Sequence, residues 1–204
     1  LEHSPALDRS TAQGLPATRI PPSWVALASV LHEIEGEPYH PPVGRITFQK
    51  LAYFVTACGI PTKLEFRRGS YGPFSPQLKS LITKLVNNGV IREERLGRMF
   101  AVHTGPAFAD GSRAYSRELA DWEDTIRRLA DLFVRMNTDQ AEVAATVHFA
   151  AGSLAQTRGE PPSETEVLAE VMHWKQKRRP ELREQEVALA IRSLGMLGWL
   201  SVRA

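Results

Sequence analysis

Apolar residues recur along this chain with helical spacing, interrupted by short alternating runs. Leu27, Val30, Leu31 and Ile34 share one face of a helix predicted over Trp24 to Glu35, with Ser23 as its N-cap. Leu51, Phe54, Val55 and Cys58 form the stripe of a second helix, Thr47 to Cys58, which Gly59 and Pro61 end. Leu64 to Arg67 alternates apolar and charged residues and predicts a short strand, followed by a turn over Gly69 to Pro73. Ser75-Pro76 then offers an N-cap and a first helical proline for a helix carrying Leu78, Leu81, Ile82, Leu85 and Val86. Val90 to Arg95 and Arg98 to His103 flank Leu96-Gly97 as a β-hairpin.

The second half reads as helical. Tyr115, Leu119, Trp122, Ile126, Leu129, Phe133 and Met136 alternate spacings of 4 and 3, which predicts one long helix packed inside the domain. Asp139 with Glu142 resembles a capping box opening a helix to about Gln156, and Ser163 with Glu166 matches one directly. The helix after Ser163 ends in the basic run Lys175 to Arg179, suited to a helix C-terminus. A last helix carries Val187, Ala190, Ile191 and Leu194, and Trp199 to Val202 reads as a closing strand. The fold class is therefore mainly α with some β (α+β). It combines a winged-helix-like unit at about 46–104, including a small β-hairpin, with a helical second half at about 112–204. Residues 1–23 lack a sustained period and read as a linker or arm, leaving 24–204 as the folded domain.

Composition narrows the function classes. The chain has 204 residues and a net charge of +2, too small to imply nucleic acid by itself. A single cysteine, Cys58, forms no internal disulfide and fits a reducing, cytoplasmic setting. No run approaches the roughly 20 apolar residues of a membrane helix, so no membrane partner is expected.

Candidate chemistry is sparse. Cys58 lies on an apolar stripe and reads as a core thiol. Ser70, between Gly69 and Gly72, is not in a strand-to-helix elbow and reads as a turn residue. His32-Glu33 lacks the second histidine of a zinc helix, and His148 and His173 sit beside apolar residues. Phosphate-cradling glycine motifs are missing too. No catalytic residue, metal, cofactor or small-molecule substrate is expected, and a binding role is favoured. The acidic Glu181, Glu184 and Glu186 at the start of the last helix would oppose phosphates. A winged-helix DNA-binding regulator is therefore the alternative rather than the first reading.

The segments Gln49-Lys50-Leu51-Ala52-Tyr53-Phe54 and Leu64-Glu65-Phe66-Arg67-Arg68-Gly69-Ser70-Tyr71-Gly72-Pro73-Phe74-Ser75-Pro76 resemble the C-terminal domain of the DarG antitoxins. The similarity continues through Thr146 to Phe149, Val171 to Trp174 and Leu197 to Leu200. The first two elements also look like the wider Panacea, or SocA-like, antitoxin domain. The resemblance implies a partner: DarG opposes DarT, a toxin that ADP-ribosylates thymidine in single-stranded DNA using NAD. In that family an N-terminal macrodomain removes the modification, and the C-terminal domain binds the toxin. With no macrodomain before Trp24, the expectation is a non-enzymatic antitoxin domain whose cognate partner is a DarT-like toxin. Expected contact residues are Arg67, Arg68, Tyr71 and Phe74 on the turn. Glu33, Glu35 and Glu37 are added as carboxylates able to meet the toxin's phosphate-binding groove.

Overall fold

A computed structural model describes residues 20–203, and the N-terminal arm expected over residues 1–23 lies almost wholly outside them. The described residues form nine helices and two antiparallel strand pairs, a mainly α fold with small β-hairpins.

Helix α1 (Pro22–Gly36) is buried on nearly all sides, through Val25 to Ala28, Val30, Leu31 and Ile34. Its cap is Pro21, not Ser23: two prolines preset the entry, and Ser23 is buried inside the first turn. Ile20, the first described residue, is also buried. Helix α2 (Arg45–Ala57) buries Phe48, Leu51, Ala52, Phe54 and Val55 and stops before Gly59, at φ +90°.

Strand β1 is Arg67–Gly69 rather than Leu64–Arg67, and it pairs with β2 (Gly72–Phe74). The predicted turn is thus a minimal hairpin. Ser75-Pro76 does not cap the next helix. Ser75 Oγ donates to Gln77 Oε1 at 2.6 Å, and α3 (Leu78–Asn87) starts after Gln77. Strands β3 (Ile91–Leu96) and β4 (Met99–Thr104) form the expected second hairpin, turning at Gly97-Arg98, one residue later than predicted.

The predicted long helix breaks into α4 (Phe108–Ala114), α5 (Ser116–Ala120) and α6 (Glu123–Phe133). Its seam still faces the core: Leu119, Ile126, Leu129 and Phe133 are buried, and α4, α5 and α6 all pack on α1. The 4-3 spacing thus recorded a continuous buried surface, which a bent backbone satisfies as well as a straight one.

Helix α7 (Thr138–Arg158) is capped reciprocally by Asn137 and Gln140, not by Asp139 and Glu142. Helix α8 (Glu164–Trp174) has the predicted Ser163–Glu166 box, and α9 (Glu184–Met196) follows. Trp199 to Val202 is not a strand; only Arg203 makes a parallel bridge, to Ser163. Helix α7 lies at the centre of the second half, against α2, α8, α9 and β2. No described helix is long and apolar enough to cross a membrane.

Candidate partner-binding site

A hairpin with three-residue strands has too few ladder bonds to persist by itself. The β1–β2 hairpin is held instead by side chains from α2 and from the C-terminal end of α8. Lys50 of α2, fully buried, donates from Nζ to the Pro73 carbonyl at 3.0 Å. Trp174 of α8 donates its indole N–H to Gly69 O at 3.2 Å, and Lys175 Nζ donates to Ser70 O at 2.6 Å. Three carbonyls of one short turn are thereby satisfied from outside it.

Glycine is required at the point of closest approach. Gly72 has φ +85°, and a Cβ there would lie 2.6 Å from Thr146 Oγ1 on α7.

Glu142 of α7 holds the cations in place. Its Oε1 accepts from Lys175 Nζ at 2.6 Å and from Arg178 Nε at 3.2 Å, while Arg178 also reaches Asp139 at 2.9 Å. Lys175 and Glu142 are both buried, so removing either would strand the other's charge. Burial pushes the Lys50 ammonium down to about 8; the Glu142 charge opposes that shift and the Lys175 charge adds to it. Burial also lowers Lys175, against its hydrogen bond to Glu142.

Beneath the hairpin lies an aromatic cluster. The Tyr53 hydroxyl and His148 Nδ1 are 2.7 Å apart, and burial drives His148 down to about 4, so the ring is neutral at pH 7. Tyr53 packs edge-on against Phe66 at 5.3 Å and Phe54 edge-on against Trp199 at 5.9 Å, while the Phe149 and Trp174 rings are tilted at 5.6 Å. These residues come from all five segments that carry the DarG resemblance. That signature therefore maps chiefly onto the support of the hairpin.

The hairpin's outward side is different. Tyr71 is 61% exposed and Phe74 is 40% exposed. Arg67 is exposed and forms no ion pair among the described residues. Arg68 pairs with Glu170 and lies 5.1 Å from the Trp174 ring, so part of its charge is already engaged.

The acidic trio divides. Glu33 and Glu37 are exposed. Glu35 accepts from Thr104 Oγ1 at 2.6 Å and sits 2.8 Å from His103 Nδ1, fastening the end of α1 to β4. The structure therefore brings Arg67, Arg68, Tyr71 and Phe74 together on one hairpin and attaches the trio to another region.

Lys50, Glu142, Lys175 and Arg178 were not singled out as a group by sequence. The signal for Glu142 was available: Ala141 to Val147 is buried at every position, so a carboxylate within that run needed a buried cation. Lys175 and Arg178 belong to the run assigned to the α8 dipole, and the inward pairing is what that assignment missed.

No protein-family model matches the chain. The chain is 27% identical over 135 residues to a DNA ADP-ribosyl glycohydrolase of Thermus aquaticus. The alignment takes in 65% of this chain and 36% of that protein. The chain thus spans about a third of the length of the curated relative it matches. Among the described residues there is no group of three or more His, Cys, Asp or Glu able to hold a metal ion.

Proposed function

We propose that this chain is an antitoxin domain of the DarG kind, which binds a DarT-like DNA ADP-ribosyltransferase and occludes its DNA-binding groove. The observation that carries this reading is the β1–β2 hairpin: two exposed aromatics, Tyr71 and Phe74, on a turn whose carbonyls are held from within. Aromatic side chains are frequent binding hot spots, and a turn already ordered has less entropy to lose on association. The relative supports the choice of partner, since it is named for acting on ADP-ribosylated DNA. Glu33 and Glu37 are the carboxylates left free to approach a basic groove; Glu35 serves the fold.

The reading assigns no hydrolysis to this chain. Its experiment is a competition between the chain and single-stranded DNA for a DarT-like toxin, followed by calorimetry or fluorescence anisotropy. The expected result is a one-to-one complex from which the DNA is displaced. Simultaneous binding of both would remove occlusion, and absence of any complex would remove the antitoxin reading. A salt-dependent gel shift with duplex DNA and no toxin complex would instead support the winged-helix regulator.

A further inference from the structure

A cleft of about 480 Å³ lies between the β1–β2 turn and the segment that follows α8, lined by Arg68 to Ser70 and by Trp174 to Arg178. Its volume is that of a small-molecule site. The two walls are tied to each other, because Lys175 Nζ donates to Ser70 O and the Trp174 indole N–H to Gly69 O. The cleft is therefore formed before anything enters it, and little ordering opposes binding.

The lining carries four cations, Arg68, Lys175, Lys177 and Arg178, and no carboxylate. Three carboxylates outside the lining pair with three of these cations: Glu170 with Arg68, Glu142 with Lys175 and Arg178, and Asp139 with Arg178. Lys177 is exposed and forms no ion pair or hydrogen bond among the described residues, so one positive charge is left over. The last-turn carbonyls of α8 do not claim it, because Val171 O and His173 O accept from the Lys175 and Gln176 amides. Donors are left over too. The exposed Ser70 hydroxyl has no partner among the described residues. Arg68 meets Glu170 through Nη2 alone, out of a guanidinium with five N–H donors.

We infer that this cleft binds a phosphoryl group, carried either by a free phosphate or pyrophosphate anion or by the end of a nucleotide. A terminal phosphoryl group brings nearly two negative charges and three acceptor oxygens at neutral pH. That matches an unpaired ammonium, a free hydroxyl and a partly used guanidinium around one cavity. A carboxylate brings one charge and two oxygens, and offers Arg68 no more than Glu170 already does. The inference concerns the free chain and does not depend on which protein the hairpin binds.

The test titrates inorganic pyrophosphate and ADP into the full chain at constant ionic strength, read by calorimetry and by amide and indole shifts in NMR. Both should saturate one site, compete with each other, and move the signals of Gly69, Ser70, Lys177 and the Trp174 indole. ADP binding more tightly assigns the site to nucleotides; otherwise it belongs to the free anion. Lys177→Gln with Ser70→Ala should weaken both ligands at least about 10-fold, as loss of hydrogen bonds to a charged group does. Lys177→Arg should stay within about 3-fold of wild type, since the charge is kept. Arg98→Gln, which removes the same charge from the β3–β4 turn, should change nothing. Ser70 and Lys177 are exposed, so the variants should fold, as a melting curve verifies. Shifts that fail to saturate and spread over other basic residues, or an equal loss from Arg98→Gln, overturn the proposal. Displacement of pyrophosphate by a lower concentration of hexaglutamate overturns it in favour of an acidic peptide. The same displacement by oligothymidylate without terminal phosphates overturns it in favour of a nucleic-acid strand.

Discussion

The two hairpins of this molecule share a topology and differ in what holds them. The β3–β4 hairpin pairs six residues with six, from Ile91 with Thr104 to Leu96 with Met99. Strand β4 is further tied on its other edge by Val102 N–H donating to Val43 O at 2.8 Å. Its main-chain groups largely satisfy one another. The β1–β2 hairpin pairs only three with three, and Lys50, Trp174 and Lys175 supply what its backbone lacks. A hairpin built on its own ladder is a local structure. One built on side chains from distant helices is a tertiary structure that happens to contain strands, and its tip is fixed to the core.

That difference predicts a ranking of substitutions. Glu142→Ala leaves Lys175 and Arg178 facing each other without their shared carboxylate, and should cost about 3–5 kcal/mol in a denaturant titration. Amide exchange at Ser70 to Gly72 should accelerate with it, while β3–β4 stays protected. Gly72→Ala comes next, at about 2–4 kcal/mol, from a positive φ and from overlap with Thr146 Oγ1. Glu35→Ala, on the other hairpin, removes the acceptor of Thr104 Oγ1 and should cost about 1–2 kcal/mol without altering exchange at β1–β2. Equal disturbance of both hairpins by Glu142→Ala would end the distinction.

Lys50 adds a pH-dependent arm. Its folded pKa lies below its unfolded value, at about 8, so between about 8 and 10.5 the unfolded chain holds more of this proton. Stability from this group is therefore least below pH 8 and rises with pH through that window. Melting curves from pH 7.5 to 9.5 should show wild type gaining on Lys50→Met; parallel curves would mean that the ammonium is not desolvated as described. Tyr53, which burial raises, makes the opposite contribution only above its unfolded pKa near 10. The smallest stability change belongs to Tyr71→Ala, within about 0.5 kcal/mol, because the ring faces solvent.

Much of the fold was legible because buried helical faces repeat at fixed spacing. Leu78, Leu81 and Leu85 identified α3, and Ser163 with Glu166 identified the start of α8. Two features were not legible for the same reason. The seam from Tyr115 to Met136 fixes which residues face α1, but says nothing of breaks between them. Asp139 and Glu142 have the right spacing for a cap, yet Asn137 takes that role two residues earlier and frees Glu142 to face inward. At the candidate site, the glycines and Pro73 announced a rigid turn. The long-range partners of its carbonyls, at positions 50, 174 and 175, carry no local signal.

The central claim is that Tyr71 and Phe74 are contact residues on a fixed support. It is tested most directly by measuring toxin affinity and melting temperature together for Tyr71→Ala with Phe74→Ala. The account predicts a loss of at least about 100-fold in affinity, as two interface anchors would give, with the melting temperature of the free chain nearly unchanged. Unchanged affinity for a DarT-like toxin that wild type binds would contradict it.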